Sequence, residues 1–325
     1  MTQILLHGEG ITKHFKVAKA PLFGGAASWV KAVDGVDFSV NEHETLSIVG
    51  ESGSGKTTLA KMVLLLERPT SGTIFYDDKD LAHLSKAEFR EYRRNVQAVF
   101  QDPFSSLSPR MLVRSIVGEP LEIQGAMSKQ EIKDRIAEVL QQVGLSANFG
   151  DRHPHELSGG QRQRVALARA IGPSPRHIVL DEPVAALDVS IRNQIVNLLK
   201  DLQEQFGISY LIISHDLVTV RHLSHEVAVL YAGKVMERTG AKDLFGEPLH
   251  PYTKALLSAA VPPRRGEERE GIVLSGEVPN PLNPPSGCRF HPRCPHAMPK
   301  CSQVEPRLQE IAPGRKVACF LYSDD

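Results

Sequence analysis

The sequence predicts an α/β fold in which mainly parallel strands alternate with helices, and three observations support this prediction. Short segments typical of strands lie at 45–49, 178–180 and 210–213. Amphipathic helical patterns occur at 128–144 and 192–202. A glycine-rich segment at 50–58 joins the first strand to a further helical pattern. Strands that alternate with helices in this way pack as a mainly parallel sheet covered by helices.

The remaining elements have weaker signals. Residues 1–60 are β-rich, with an Ala- and Gly-rich loop insertion predicted at 18–28. The segment at 161–171 continues as a helix after a double glycine. Apolar residues alternate at 227–231 and the chain turns after them, which predicts a hairpin. Beyond about residue 250 the chain is rich in proline and includes a charged stretch at 264–270, so long helices are not expected there.

The composition is typical of a soluble globular protein. The chain has 325 residues, 41% of them hydrophobic, and its 38 Lys and Arg balance 38 Asp and Glu. At about 150 residues per domain, this length suggests one large or two modest domains. A general nucleic-acid binder needs a cationic face, so zero net charge argues against a nucleic-acid partner without excluding a local basic groove.

The sequence shows neither a membrane span nor a secretory signal. No apolar run approaches the roughly 18 residues that a spanning helix needs. The first nine residues lack a basic segment followed by an apolar stretch. We therefore expect a cytosolic protein that would serve a membrane process only by docking on another chain.

The glycine-rich segment contains the pattern Gly-x4-Gly-Lys-Thr between a predicted strand and a predicted helix. Its glycines allow backbone N–H groups to turn towards phosphate oxygens. Lys56 would bridge the β- and γ-phosphates, and the Thr57 hydroxyl would hold Mg²⁺. The flanking strand and helix argue against an accidental glycine-rich turn.

Two further motifs carry chemistry. The apolar strand at 178–180 ends in Asp181, suited to Mg²⁺, and Glu182, suited to act as a general base. The segment LSGGQ at 157–161 opens a helix whose N–H groups can bind an anion. Alone, the first could be an ordinary strand end and the second a capping serine. Together with the phosphate loop they predict a nucleotide site.

These motifs resemble the ATP-binding-cassette (ABC) ATPases over about residues 5–250, and LSGGQ is that family's signature motif. The resemblance implies a P-loop NTPase fold with a RecA-like core, an antiparallel β subdomain and a helical signature subdomain. In the family, two cassettes close head to tail, and ATP lies between the phosphate loop of one and the signature of the other. The expected activity is therefore ATP hydrolysis with ATP and Mg²⁺ bound.

The resemblance assigns ATP contacts to particular residues. Those expected at ATP are Gly50, Ser52, Gly53, Ser54, Gly55, Lys56, Thr57 and Thr58 in the phosphate loop, with Ser158, Gly159, Gly160 and Gln161 in the signature. Asp188 matches the D-loop, although Ala185 stands where the family usually has serine. Phe15 resembles the aromatic that stacks on adenine; Trp29 and a purely structural role for Phe15 are the alternatives.

The resemblance also implies the catalytic and magnesium-binding residues. Gln101 in VFQDP matches the Q-loop glutamine near Mg²⁺ and the attacking water, and His215 resembles the switch histidine at the γ-phosphate. The expected catalytic set is thus Lys56, Gln101, Glu182 and His215, and the expected Mg²⁺ ligands are Thr57, Gln101 and Asp181.

Three longer segments narrow the resemblance to the importer ATPases for dipeptides and oligopeptides: 99–110, 250–257 and 279–294. That branch implies an ATPase domain at 1–249, with its helical subdomain at about 103–163, and an extension at 250–325. The implied partners are a second ATPase subunit, two transmembrane permease subunits and, indirectly, an external substrate-binding protein. The implied location is the cytoplasmic face of a bacterial inner membrane, with closure reaching the permease near Gln101 and 104–110.

The cysteines are concentrated near the end of the chain, which predicts a separate unit with its own chemistry. They are Cys288, Cys294, Cys301 and Cys319. Four thiolates can hold Zn²⁺ or a 4Fe–4S cluster. The resemblance favours the cluster; zinc, with His291 or His296 as substitute ligands, and free thiols or disulfides remain open. A reducing cytosol disfavours disulfides.

The sequence alone leaves other functions open. The same importer type could carry a nickel chelate, glutathione or a sugar. A soluble ABC ATPase acting on nucleic acid or ribosomes would usually have tandem cassettes, a coiled-coil insertion or a basic chain, none of which is present. A cluster-bearing regulator that binds ATP without turnover is disfavoured because Glu182 and His215 are both present.

Overall fold

The computed structural model describes residues 3–17, 28–101, 106–185, 187–260 and 279–323. The chain divides into two compact units. The first is built mainly from His83–Ile212. The second comprises Ile4–Ser39, Leu46–Ala82 and the chain from Ile213 onward.

The elements alternate along the chain as an α/β fold requires. In chain order the strands of the described ranges are β1 (Ile4–Val17), β2 (Ser28–Asn41), β3 (Thr45–Val49), β4 (Ser71–Tyr76), β5 (Lys79–Asp80), β6 (Val96–Val99), β7 (His177–Asp181), β8 (Ser209–Ser214), β9 (Glu226–Tyr231), β10 (Lys234–Gly240), β11 (Gln309–Ala312) and β12 (Arg315–Val317). The helices are α1 (Lys56–Val63), α2 (Lys86–Asn95), α3 (Val113–Gln124), α4 (Lys129–Gln142), α5 (Gly159–Ile171), α6 (Val189–Phe206), α7 (Leu217–Leu223), α8 (Ala241–Gly246), α9 (Pro251–Ala260) and α10 (Pro299–Gln303).

The first unit contains the parallel pair β6 and β7, in which Val96 lies opposite His177 and Val99 opposite Leu180. All five residues of β7 are buried. Strands covered on both faces read as continuous apolar runs, which is why the sequence revealed this one. The parallel register brings the carboxyl ends of both strands to the same edge.

The helices of the first unit confirm the sequence periodicity. The pattern at 128–144 is realised as α4, whose start is fixed by Ser128 and Glu131, each side chain accepting the other's backbone N–H. The pattern at 192–202 is the interior of the longer α6, because the flanking turns are mostly exposed and lack an apolar stripe. Gly207, at φ 64°, ends that helix.

The second unit contains two groups of strands. One sheet runs in the order β2-β1-β4-β5, in which β4 is antiparallel to β1 and to β5. The other group runs β11-β12-β10-β9-β3; β9 is parallel to β3, and β10 is antiparallel to β9 and to β12. This arrangement confirms the predicted antiparallel β subdomain and the predicted hairpin.

The cysteine-bearing extension shares the sheet and core of the second unit. Strand β12 pairs with β10, placing Val317 opposite Glu237. Phe290 is fully buried in a cluster that also contains Tyr231 and Tyr252. The structure thus adds a contact that the domain prediction lacked, and the boundary at 249/250 stays a prediction.

Several predictions concern residues outside the described ranges. They are the loop insertion at 18–27, residues 102–105 of the Q-loop region, Ala186 of the D-loop and the charged stretch at 264–270. Among the described helices, none combines the length and the apolar character that crossing a bilayer requires.

Candidate functional site

The predicted phosphate loop lies between β3 and α1, as the sequence indicated. Gly50 and Gly55 have φ angles of 151° and 106°. A Cβ at Gly50 would lie 2.0 Å from the Leu230 carbonyl oxygen, and one at Gly55 would lie 2.1 Å from that of Ala32. Glycine is therefore required at both positions, by conformation and by close backbone approach.

Lys56 is buried within this loop at the start of α1. Its Nζ donates to the carbonyl oxygens of Gly50, at 2.8 Å, and Glu51, at 2.9 Å. Ser54 Oγ is also buried and has no hydrogen-bond partner among the described residues. An ammonium and a buried hydroxyl at a helix N-terminus suit an anion, so the loop fits a nucleotide phosphate. Ser52, Gly53 and Thr57 are exposed on the loop, and Thr58 is half-buried.

Glu51 is held in the loop through its N–H, its carbonyl and its carboxylate. Its N–H donates to Tyr252 Oη at 2.9 Å, and its carbonyl accepts from Lys56 and from the Ser54 N–H. Its carboxylate accepts two bonds from the Arg293 guanidinium, at 2.8 and 3.2 Å. Burial raises the pKa of Tyr252, so its hydroxyl stays protonated. The sequence analysis assigned no role to Glu51, Tyr252 or Arg293.

In the first unit, Asp181 and Glu182 lie at the carboxyl end of β7, and their exposed fractions are 7% and 8%. Glu182 has a φ of 52°, an uncommon left-handed conformation for a residue with a side chain. Such conformations cluster at functional sites. The chain thus turns out of the strand at the predicted general base.

Gln101 lies near the same edge of the pair β6 and β7. It follows Val99 by two residues, and Val99 pairs with Leu180, the residue before Asp181. The Gln101 side chain is exposed. The parallel register therefore brings the predicted Q-loop glutamine to the strand end that carries the acidic pair.

The signature motif opens α5. Gln161 N–H donates to Ser158 Oγ at 3.3 Å, and Ser158 N–H donates to Gln161 Oε1 at 3.0 Å, so the two residues cap the helix reciprocally. Ser158 is exposed, and a serine hydroxyl that accepts a capping bond still has a proton to donate. A Cβ on Gly160 would lie 2.6 Å from Ile191 Cγ2, so α6 requires glycine there. Gly159 is half-buried beside it.

Asp188 and His215 each stand where a helix begins. Asp188 is exposed, and its carbonyl accepts from the Arg192 N–H in the first turn of α6. His215 is exposed between Ser214 and Asp216, and the Asp216 side chain accepts the Val218 N–H. His215 thus lies directly before a capped helix start.

The predicted adenine-stacking aromatic lies on the exposed end of β1. Phe15 is half-buried, and Lys13 Nζ lies 4.9 Å from the centre of its ring. Trp29, the sequence alternative, is 45% exposed. Both rings are accessible, so the assignment to Phe15 stays a prediction.

The four cysteines line a single small cavity together with His250, Phe290, His291 and His296. The Cys288 N–H donates to the Cys301 carbonyl at 2.8 Å. Burial raises the pKa of Cys288 to about 11 and also raises those of Cys294 and Cys319. Thiols in this state are neutral at pH 7.

The expected metal cluster is not supported by these side chains as they stand. In the described part of the chain, no three His, Cys, Asp or Glu side chains are grouped so as to hold a metal ion.

Comparison with known proteins places these features in a family. Residues 33–185 match the family model described as ABC transporter, and residues 236–301 match the one described as oligopeptide/dipeptide transporter, C-terminal region. The chain is 49% identical over 324 residues to the oligopeptide transport ATP-binding protein AppF of Bacillus subtilis (strain 168), covering 99% of this chain and 98% of that protein. The chain belongs to the ABC transporter ATPase family.

Further similarities agree with membership of the ABC family. A second Bacillus subtilis (strain 168) protein, the putative oligopeptide transport ATP-binding protein YkfD, is 51% identical over 301 residues, which is 92% of each chain. The solved dimer of the ATP-binding cassette MJ0796 with ADP and Pi superimposes with a TM-score of 0.64 at 32% identity, covering 73% of this chain and 99% of that one. The ABC ATPase fold and the ATPase activity predicted from the sequence are confirmed.

Proposed function

We propose that this ABC ATPase is the ATP-hydrolysing subunit of an importer for di- or oligopeptides. The match of residues 236–301 to the oligopeptide/dipeptide transporter C-terminal region carries this proposal. Relatives that span nearly the whole chain are named for oligopeptide transport or peptide import, which supports the substrate class.

In the second unit, the phosphate loop binds the triphosphate of ATP. The Lys56 ammonium exchanges its hydrogen bonds to carbonyl oxygens for bonds to phosphate oxygens, and the exposed Thr57 hydroxyl would hold Mg²⁺. His215, at the start of α7, contacts the γ-phosphate and offsets its developing charge. Phe15 stacks on adenine. The remaining contacts are those of the loop residues Gly50, Ser52, Gly53, Ser54, Gly55 and Thr58.

In the first unit, the buried acidic pair supplies the metal ligand and the base. Asp181 and Gln101 would hold Mg²⁺, which would supply positive charge to offset the negative charge of the phosphate oxygens. Glu182 orients the attacking water and accepts its proton. The strand register that brings Gln101 to the end of β7 supports this division of roles.

ATP binding closes two cassettes head to tail. Ser158, Gly159, Gly160 and Gln161 of one subunit contact the nucleotide held by the other, and Asp188 lies at their interface. Only the closed state provides these contacts, so ATP favours closure. The expected complex contains a second ATPase subunit, two membrane permease subunits and an external substrate-binding protein, and it lies at the inner membrane with this chain on the cytoplasmic face.

We also propose that the extension binds a 4Fe–4S cluster through Cys288, Cys294, Cys301 and Cys319, which would have to move from their positions in this structure, where the described residues form no metal-binding group. The support is that all four line one cavity. Burial raises the pKa values of Cys288, Cys294 and Cys319, so binding a cluster would release protons from these thiols. Anaerobically purified protein should be brown, and Cys288→Ser should reduce the visible absorbance and iron content. Colourless protein with one zinc per chain, or with neither metal, would contradict the cluster.

Transport is tested in proteoliposomes that contain the purified complex, its permease subunits and its binding protein. We expect ATP-dependent uptake of a labelled dipeptide or oligopeptide, and loss of uptake with Lys56→Ala. ATP hydrolysis with uptake of only a nickel chelate, glutathione or a sugar would contradict the peptide assignment. Failure to co-purify with any permease would contradict the transport assignment.

A further inference from the structure

The cysteine-bearing extension reaches the phosphate loop of its own chain at Glu51. We propose that Arg293 and Tyr252 are positioning residues for nucleotide binding. They hold Glu51, and through its carbonyl oxygen the Lys56 ammonium, in the geometry that receives the phosphates. The proposal rests on ATP binding at the phosphate loop, which is part of the proposed function.

The Arg293 contact is a two-pronged ion pair. Two guanidinium nitrogens bond to the two Glu51 carboxylate oxygens, and the Arg293 side chain is only 7% exposed. Nη1 also donates to Tyr231 Oη at 3.2 Å. Paired bonds between a planar guanidinium and a carboxylate fix orientation as well as distance. Arg293 therefore fixes the direction of the Glu51 side chain.

The Tyr252 contact fixes the backbone of the same residue. Its hydroxyl accepts the Glu51 N–H, and its ring packs 4.6 Å from Tyr231 and 5.4 Å from Phe290, measured between ring centres. The Tyr252 N–H donates to His250 Nδ1 at 3.0 Å. A fully buried ring has little freedom to move, so the hydroxyl provides a fixed point.

The Glu51 carbonyl connects the Arg293 and Tyr252 contacts to Lys56. The Glu51 carbonyl oxygen accepts from Lys56 Nζ at 2.9 Å and from the Ser54 N–H at 3.2 Å. A shift of Glu51 would therefore move both a carbonyl partner of the ammonium and the backbone of the loop. Binding sites lose affinity when their groups are not held in place beforehand, because the ligand must then order them.

The test measures the dissociation constants of MgATP and MgADP with the full chain. Arg293→Lys keeps the charge but cannot make the paired bonds, and we expect an affinity about 5- to 10-fold weaker. Tyr252→Phe keeps the ring and removes the hydroxyl, and we expect a loss of about 3-fold. Both variants should retain the melting temperature of the nucleotide-free protein to within a few degrees.

Two matched controls separate positioning from general loosening of the extension. Arg289→Lys alters another buried arginine of the cysteine segment, whose guanidinium bonds to the Asp34 carboxylate and the Ala232 carbonyl, neither of which belongs to the phosphate loop. Tyr322→Phe removes a hydroxyl that donates to the Leu249 carbonyl. Neither control should change nucleotide affinity by more than about 2-fold.

A double-variant cycle tests the route through Glu51. Glu51→Gln alone should weaken binding about as much as Arg293→Lys, and the combination should be no weaker than the more severe single variant. Additive losses would overturn the route through Glu51. The positioning role would be overturned if Arg293→Lys and Tyr252→Phe left nucleotide affinity unchanged. It would also be overturned if the two control variants lost as much affinity as these two. Wild-type protein that fails to bind ATP would overturn the proposed function instead.

Discussion

Glu182 has two features that rarely occur together, a buried carboxylate and a left-handed backbone. Its side chain is 8% exposed and its φ is 52°. The conformation directs the chain away from β7 immediately after Asp181. A general base gains from a fixed position, because proton transfer requires hydrogen-bond reach to the attacking water.

Glu182→Gln keeps the shape of this residue and removes its basicity. We expect ATP binding to persist and steady-state hydrolysis to fall by about 100-fold or more, since general-base catalysis contributes at least that factor. A phosphate-release assay and a nucleotide-binding titration measure the two effects. The control Glu204→Gln, at an exposed position of α6, should leave the hydrolysis rate unchanged. Rapid hydrolysis by Glu182→Gln would show that another group is the base.

The completely buried His177 predicts how stability depends on pH. Burial lowers the pKa of His177 to about 3, whereas an unfolded imidazole titrates near 6.5. Below pH 6.5 His177 binds a proton in the unfolded chain but not in the folded chain. Stability is therefore fully present above about pH 6.5 and falls as pH decreases from there towards 3.

Lowering the pH from 7 to 5 should therefore decrease the free energy of unfolding by about 2 kcal/mol through this histidine. Urea unfolding at the two pH values measures it, and His177→Gln should reduce the pH dependence by that amount. The control His83→Gln, at an exposed position, should leave the pH dependence of stability unchanged. An unchanged slope in His177→Gln would mean that the folded protein accepts the proton.

The residues recognised from the sequence were those whose neighbours along the chain explain them. Lys56 follows a glycine loop, and Asp181 ends an apolar strand, so local pattern was enough. Glu51 and Arg293 are separated by most of the chain, and their contact depends on the packing of the extension. No local spacing contains that information.

At the scale of elements, the start of α9 depends on a carboxylate from a neighbouring strand. Glu237 of β10 is fully buried, and its two oxygens accept the N–H groups of Leu249, at 2.9 Å, and His250, at 2.8 Å. Burial raises the pKa of Glu237 despite these bonds. One side chain thus holds the segment that presents Tyr252.

Glu237→Gln replaces one of the two accepting oxygens with an amide that faces a backbone N–H. We expect a loss of about 1–3 kcal/mol in unfolding free energy, the usual cost of an unsatisfied buried polar group. Urea unfolding measures it, with Glu9→Gln, whose side chain is 71% exposed, as the control. Equal stability of the two variants would contradict the capping role.

The sequence predicted the core elements better than the peripheral ones. The period of α4 and the apolar run of β7 were read correctly because a buried face imposes them. The hairpin of β11 and β12 was not predicted. Most of its residues are partly exposed, so it lacks the alternation of apolar and polar residues that reveals a half-buried strand.

At the scale of the whole molecule, nucleotide binding should be visible as stabilisation. A ligand that binds only the folded state stabilises it by about 2.7 kcal/mol at 100 times its dissociation constant. MgATP should therefore raise the melting temperature of the wild-type protein, and Lys56→Ala should abolish the increase. Lys61→Ala, an exposed position on α1, should retain it. A full increase with Lys56→Ala would contradict the role of this lysine.

The pairing of β12 with β10 has a consequence for biosynthesis. The ribosome completes β10 well before it makes β12, so the nascent chain carries a bare strand edge that invites pairing with other chains. Stalled or prematurely terminated translation would leave that edge permanently open. We therefore expect such fragments to depend on chaperones for solubility more than the finished protein does.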